Sequence, residues 1–434
     1  MIEKYDYIVI GAGIAGLHIG ALLSQYGKVL VLEKAKEIGG RARVVDINGF
    51  KLDFGPHPIR FGPKSALGAS LNEINKPINF IKPGASWAFL DDGTKTIFPS
   101  GGIMAVIKSK MVPTIKTLKF MIKIKKMSNR DFEKLYDLSL IQWFDQENII
   151  PSLQKFLIMT SSAIQVNPFP NRSSAGELLH NIGRVLKLGS VYYPKGGWTS
   201  IFNAFLNKIK DNGGEIRLNE NVSKIIIEDS TAIGVFIKDK LIYGKTIIST
   251  IPIQQLFTIL DETLCEKKII EKCNSLRPTA GVSIDFCLSK PISDINGIIF
   301  FDNPLAFGFI PSNLSPEVVP KGKSLMTFFT AANLEDIKDK NTMKEIHQKL
   351  RDTILRFFPD LEQYLLHERP LFLEMVDGVE VNIEQHKLKR PGNVIKGIKK
   401  LYITGDSVGG SGAGGDIGHE SVRNVYKMIR NQNY

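Results

Sequence analysis

The sequence predicts an α/β fold in which a three-layer unit built on a parallel sheet interleaves with an α+β unit of mixed sheet plus helices. Three observations carry this expectation. Apolar runs of strand length at 7–10 and 401–405 are each followed by a glycine-rich turn and a stretch of helical period. Short strand-like segments gather at 215–251 and 280–330, whereas 103–188 reads mainly as helix broken at Pro113, Pro151, Pro168 and Pro170. No internal repeat or low-complexity tract separates the two kinds of segment, so the units exchange along the chain rather than follow one another.

The opening run, residues 7–10, has the β-branched content of a buried strand and ends at Gly11. Gly11 permits a tight turn, Gly13 lets the backbone approach a pyrophosphate, and Gly16 lets the next helix pack closely on the strand. That helix, expected over 15–25, points its N-terminal amides and dipole at an anion. A second strand over 29–32 delivers Glu33 at about the twenty-residue offset of a ribose acceptor. Strand, turn, helix, strand and acid together predict a Rossmann-like dinucleotide cradle; a βαβ unit that binds no nucleotide is the alternative reading.

The run GGRAR at 39–43 then sets two flexible residues before Arg41, an arrangement suited to a loop crossing the pyrophosphate. Residues 49–62 read as a short strand broken at Gly55, Pro56 and Pro58, giving an irregular loop that carries His57 and Arg60 as donors to a ring system or substrate, or as peripheral groups. Residues 78–99 read as a hairpin turning at 91–93. Within the helical segment, Met111, Ile115, Leu118 and Ile122 share one face beside a stripe of Lys116, Lys119, Lys123 and Lys126. Two readings stand for it: a peripheral contact with acidic membrane, or a solvated lysine face beside a core contact. Strands follow at 191–193, 215–218, 222–228, 232–237, 246–251, 281–288, 297–301 and 324–330, with a helix over about 342–358. Near the C-terminus, Asp406 and the glycine-rich run 408–416 lead into a helix over 417–430, a second strand, loop and helix N-terminus able to face an electron-rich carbonyl or phosphate.

Composition narrows the classes. A chain of 434 residues with 43% hydrophobic content is expected to be globular with two or three domains. No signal peptide and no spanning run of eighteen apolar residues is read. Cys265, Cys273 and Cys287 are widely spaced and near no histidine cluster, so neither a zinc site nor a disulfide framework is expected, and a cytoplasmic location fits. The net charge of +12 favours anionic partners, but no nucleic-acid motif appears and none is expected to bind.

These pieces resemble the two-domain flavoproteins that include amine oxidases, protoporphyrinogen oxidase, phytoene desaturases and retinol saturases, together with the Rab GDP-dissociation inhibitors. The motifs YPKGG at 193–197, GGEI at 213–216 and IST at 248–250 are most similar to the phytoene desaturase and carotenoid isomerase branch. The resemblance implies non-covalent FAD held by Gly11, Gly13, Ile14, Ala15, Gly16, Glu33, Lys34, Gly40, Arg41, Gly55, Val222, Gly405, Asp406, Asp416 and Ile417. Within it, Val222 meets the adenine through its backbone, Asp406 the ribityl chain, and Asp416 and Ile417 the flavin pyrimidine. It implies an FAD-binding domain of residues 1–75, 190–260 and 390–434, and a substrate domain of 76–189 and 261–389 with its helical segment at about 101–188.

The expected activity is hydride transfer between FAD and a hydrophobic, isoprenoid small molecule: desaturation, saturation or isomerisation of C–C bonds. His57 is the one catalytic candidate, as proton donor or flavin-polarising group. Two rival readings are an amine or protoporphyrinogen oxidase and a non-catalytic prenyl-lipid carrier. Against the first, no lysine stands within 279–288 and no aromatic pair near 414–419; against the second stand Glu33, Arg41 and Asp406.

Overall fold

The computed structural model describes residues 3–100, 102–238 and 240–431. The expected domain limits at 1 and 434 and the expected start of the helical segment at 101 lie outside the described residues.

A seven-stranded sheet runs in the order Glu215–Arg217, Val29–Leu32, Lys4–Ile10, Lys240–Ser249, Thr231–Ile237 and Val222–Glu228, with Leu401–Ile403 also paired to Lys240–Ser249. The pairings among the first four strands, and that of Leu401–Ile403, are parallel. Lys240–Ser249 is ten residues long and so carries two neighbours on one edge: an antiparallel hairpin along its first half and Leu401–Ile403 along its second. The period of two sorts its side chains into layers. Tyr7, Val9, Val29 and Val31 pack with Leu17, Phe205 and Val422 of the helices Ile14–Leu23, Trp198–Asp211 and Gly415–Asn431. Ile8, Ile10, Leu30 and Leu32 face the opposite side, with Val235, Leu256 and Leu276.

The second sheet runs Leu365–Leu373, Ala280–Leu288, Ser324–Ala332, Leu305–Phe309, Ile299–Asp302, Trp87–Phe89 and Lys95–Ile97. Every pairing is antiparallel except that of Trp87–Phe89 with Ile299–Asp302. Ala280–Leu288 is buried throughout because both faces are covered. Ile284, Phe301 and Phe328 pack under the helix Lys340–Phe357, while Phe300, Phe309 and Phe329 face the helical segment. Val191–Pro194 pairs with both Ile59–Arg60 and Phe80–Ile81, stitching the loop that holds His57 to the segment that begins the second sheet.

Four strands escaped the sequence reading: the short Val44–Ile47 and Ile59–Arg60, and two in the second sheet. Leu365–Leu373 contains Pro370 and three charged or histidine positions, a poor strand by composition, but it forms the sheet edge, where a missing N–H costs no ladder bond. Leu305–Phe309 follows Ile299–Asp302 across the two residues Asn303 and Pro304, a connection too short to separate two strands by pattern. Pro151 starts the helix Pro151–Ile164, where its absent N–H is not needed.

The lysine-rich helix requires a correction. Thr114–Lys126 buries Thr117, Phe120 and Ile124, and not the face carrying Ile115 and Ile122, both of which are exposed. Phe120 and Ile124 outweigh the aliphatic stripe because the ring of Phe120 packs toward Trp143. All three cysteines are free. Among the described residues no helix is long and apolar enough to cross a membrane, and no group of three or more His, Cys, Asp or Glu could hold a metal.

Candidate cofactor and substrate cavity

Both helix N-termini that follow a parallel strand open on one cavity of about 890 Å³. The strand ending at Ile10 hands over to Gly11, whose φ of +100° is a left-handed conformation that disfavours a side chain. Its N–H donates to the Leu32 carbonyl at 2.7 Å, locking the turn against the next strand. A Cβ on Gly16 would lie 1.9 Å from the Gly11 carbonyl oxygen, so helix and turn touch backbone to backbone. A Cβ on Gly13 would meet only Gly40 Cα at 4.0 Å, and one on Gly415 would meet nothing within 4 Å. These two glycines face the open cavity, and the space a side chain would fill is left for a ligand.

Glu33 is fixed at the rim by two backbone donors: Ala12 N–H to Oε2 at 2.7 Å and Ala35 N–H to Oε1 at 2.9 Å. Arg41 reaches across to the C-terminal half, giving Asp406 a bidentate pair at 2.7 and 2.6 Å and donating to the Val376 carbonyl at 3.1 Å. Burial pushes the Asp406 carboxyl up, but Arg41 and the Gly378 amide outweigh it and hold it below its ordinary value.

Of the sequence-predicted set, Gly11, Gly13, Ile14, Ala15, Glu33, Lys34, Gly40, Arg41, Gly55, His57, Val222, Gly405, Asp406 and Asp416 all line this one cavity. Gly16 and Ile417 do not line it: the first is spent on the strand contact, and the second is fully buried in the core beneath the sheet. Asp416 turns its carboxylate to Arg60 at 2.8 Å, with Arg184 at 3.8 Å.

That pairing redefines Arg60. Two further donors go to the carbonyls of Ile164 at 2.7 Å and Ala413, so it clamps the helical segment, the 49–62 loop and the C-terminal helix together. Three of its five N–H groups are spent on these partners, and Arg60 still lines the cavity. His57 is likewise constrained: Nδ1 lies 2.8 Å from the Gly55 carbonyl, and the Trp198 indole N–H donates to the His57 carbonyl at 2.8 Å. Burial drives its imidazole down to about 4, so it is neutral at pH 7. With Nδ1–H donating to Gly55, Nε2 is an acceptor; the imidazolium form expected of a proton donor is absent at neutral pH.

Two groups missed by sequence reading matter here. Asp377 lines the cavity from the irregular loop after Leu365–Leu373, and a Cβ on Gly414 would lie 2.5 Å from its Oδ1. Burial and the Asp406 charge raise it to about 7, against the pull of Arg41 and Arg60. Its only sequence signal was the turn-like Asp377-Gly378 pair. His419, on the C-terminal helix, also lines the cavity, and its Nδ1 sits 3.2 Å from Nδ1 of the buried His18 on the first helix. Burial lowers both imidazoles, so one neutral ring donates to the other and ties the two helices together.

Beyond His57 the walls change character. Phe98, Phe156, Phe300, Phe307, Phe329, Ile164 and Ile182 line this half; Phe98 and Phe300 stack at 3.8 Å between centroids. Among the described residues the only lysine lining the cavity is Lys34, at the nucleotide end.

A carboxylate cluster backs the 49–62 loop. Asp285 on the central strand pairs with Arg369 at 2.6 Å, and Tyr193 O–H donates to Asp53 at 3.2 Å. Burial raises Asp53 from its ordinary 3.8 to about 7, the Asp285 charge adding to this and Tyr193 and Arg369 opposing it. Between these values the folded state binds more protons than the unfolded, so Asp53 lowers stability progressively as pH rises from 3.8 to about 7. Asp53→Asn is therefore expected to be more stable than wild type by about 1–3 kcal/mol near pH 8 and equal to it near pH 4. Urea titrations at the two pH values measure the difference; a variant less stable near pH 8 contradicts the assignment.

A parallel sheet with a glycine turn at one helix N-terminus, a fixed acid on the next strand and a second helix N-terminus across the same cavity defines a dinucleotide-binding oxidoreductase fold. The chain belongs to the flavin containing amine oxidoreductase family, whose model matches residues 14–418, and it is an FAD-dependent oxidoreductase. It is similar to an uncharacterized protein of Methanocaldococcus jannaschii, 24% identical over 83% of this chain and 84% of that one. It is also similar to the chloroplastic prolycopene isomerase 1 of an Oncidium hybrid cultivar, 24% identical over 77% of this chain but 65% of the relative's length. The crystal structure of an oxidoreductase from Methanosarcina mazei superposes with a TM-score of 0.82 at 22% identity, covering 98% of this chain and 100% of that one.

Proposed function

We propose that the protein transfers hydride between FAD and the carbon skeleton of an apolar isoprenoid, desaturating, saturating or isomerising C–C bonds. The observation that carries this reading is the continuity of the cavity from the glycine cradle into a chamber walled by phenylalanine and aliphatic side chains. An apolar chain gains about 25 cal/mol per Å² on entering such a chamber. The similarity to prolycopene isomerase supports the same substrate class.

In this reading residues 1–75, 190–260 and 390–434 hold the cofactor, and 76–189 and 261–389 present the substrate. Glu33 accepts from the adenosine ribose, the amides after Gly11 and Gly13 face the pyrophosphate, and Val222 borders the adenine. Arg41 and Asp406, already paired, offer a cation and an acceptor to the phosphate and ribityl region. FAD, when bound without a covalent link, supplies the hydride acceptor or donor. The chain's own residues do the rest: the aromatic walls exclude water and orient the reacting C–H or C=C bond, where positioning accounts for much of the rate. Asp377, holding a proton near neutrality at the junction of the two halves, is the group placed to give or take the proton that accompanies hydride transfer.

Incubation with a panel of polyprenyl polyenes, polyamines and protoporphyrinogen, followed by mass spectrometry and peroxide measurement, tests the proposal. Products altered at C–C bonds of the polyene alone are expected; peroxide release driven by a polyamine or porphyrinogen would overturn it. Acid precipitation is expected to release the flavin into the supernatant.

A further inference from the structure

The helical segment turns an apolar and strongly basic face outward beside the apolar half of the cavity. Between Asp92 and Asp131 the chain has no acidic residue and eight lysines. All eight are exposed, seven of them, Lys108, Lys110, Lys116, Lys119, Lys123, Lys125 and Lys126, in the helical segment, and among the described residues only Lys123 of these has an ion-pair partner, Glu147 at 2.6 Å. Interleaved with them are large apolar side chains that nothing covers. Ile103, Met104 and Ile107 on the helix Ile103–Lys108 are 65%, 61% and 51% exposed, and Ile115 and Ile122 on Thr114–Lys126 are 71% and 55% exposed.

The second helix explains how this face arises. Phe120 and Ile124 anchor it in the core, which leaves Ile115 and Ile122 exposed, with the half-buried Leu118 between them at spacings of three and four, as a second apolar stripe. Such a stripe could instead have been buried, but its exposed flanks of lysine hold it at the surface. The turn into the first of these helices and the second helix itself reach the cavity, which Ser100 and Gly102 line from the one and Met121 from the other.

We propose that this face docks on the surface of an acidic lipid bilayer, setting the apolar end of the cavity against lipid so that an apolar substrate passes between membrane and chamber without crossing water. Charge and apolarity together choose this occupant. Lysines near an anionic membrane surface each contribute about 1 kcal/mol of attraction, and exposed isoleucines among them seat at the headgroup boundary, as in interfacial helices. A second copy of the chain meeting this face isologously would bring the two lysine sets together and be repelled. The contact is peripheral, since among the described residues no helix is able to span. The docking stands on the exposed face; only what passes through the mouth rests on the proposed isoprenoid reading.

Sedimentation of the full chain with phosphatidylcholine vesicles and with mixed phosphatidylcholine and phosphatidylglycerol vesicles tests it, without substrate present. Binding to the acidic vesicles is expected to exceed that to neutral ones about tenfold at ~0.1 M salt and to weaken sharply at ~0.5 M. Two variants, Ile103→Ser/Ile107→Ser/Ile115→Ser/Ile122→Ser and Lys116→Glu/Lys119→Glu/Lys126→Glu, are expected to lose that binding while keeping the wild-type melting temperature, because every altered side chain is exposed. Equal binding to both vesicle types, binding to neither, variants that bind like wild type, or a self-association that these variants abolish would each overturn the proposal. Turnover of a detergent-dispersed polyene by a variant that no longer docks would leave the isoprenoid reading intact, so the two claims fail separately.

Discussion

Glu177→Ala is expected to lower stability by about 3–5 kcal/mol, a large share of the roughly 5–15 kcal/mol that holds a domain of ordinary stability together. Glu177 stands in the first turn of Ala175–Leu188, behind the Ser174 cap. Its carboxylate accepts from Arg390 at 3.0 Å and from the Lys387 amide at 2.6 Å, and the side chains of the pair are 1% and 0% exposed. Arg390 also donates to the Gly410 carbonyl at 3.3 Å, while its Nε and Nη1 have no partner. Removing the carboxylate leaves a buried guanidinium uncompensated, whereas replacing both groups by apolar residues removes the charge altogether. The double variant Glu177→Leu/Arg390→Met is therefore expected to recover most of the loss. Urea midpoints with unchanged slopes report both values; a Glu177→Ala variant within 1 kcal/mol of wild type contradicts the account. The pair also has a place in function, since it joins the helix that contributes Ile182 and Val185 to the chamber to the glycine-rich loop of the nucleotide half.

Gly16→Ala is expected to abolish retention of FAD and to cost about 3 kcal/mol or more. The added methyl would stand 1.9 Å from the Gly11 carbonyl oxygen and 3.0 Å from both Gly11 C and Thr250 Oγ1. Neither backbone atom is free to give way, because the Gly11 N–H is bonded to Leu32 and the Thr250 N–H to Ile10, both in the central sheet. The helix must lift from the strand, and its N-terminal amides then leave the position from which they face the cavity. Flavin absorbance per polypeptide after desalting, with a melting curve, separates this from general unfolding. A variant that keeps one FAD per chain and the wild-type melting temperature would show that the close approach carries no weight. The contrast with Gly415 is informative: a Cβ there would meet nothing within 4 Å, so a substitution would crowd the ligand and leave the fold in place.

Much of this was legible in the sequence because local chemistry specifies it. The turn at 11–16, Glu33, the 39–43 loop and the 405–417 loop are written in glycines and an acid whose spacing follows from strand and helix geometry. What the sequence did not carry was the use each polar group makes of distant partners. Arg60 reads as a donor for a ligand, yet Asp416, hundreds of residues away, takes it. Asp377 has no motif around it, and its raised pKa is produced by Asp406 and by burial, neither of which is local. The lysine-rich helix is the sharpest case. Its aliphatic residues at 115, 118 and 122 make as good a core stripe as those at 117, 120 and 124, and tertiary packing of one aromatic ring decided between them, while Met111, before the helix, is buried as read. Leu365–Leu373 fails by propensity and is a strand because a neighbour needs an edge partner.

The most direct test of the central claim, that one cavity brings FAD against an isoprenoid skeleton, is an anaerobic flavin absorbance titration of the holoprotein in its oxidised and its reduced form. Conjugated polyprenyl polyenes are predicted to perturb or change the redox state of the flavin in one of the two forms, with C–C altered product recovered from the same cuvette, and polyamines to leave both spectra untouched. Rapid bleaching of the oxidised flavin by a polyamine, with no response to any polyene, would contradict it.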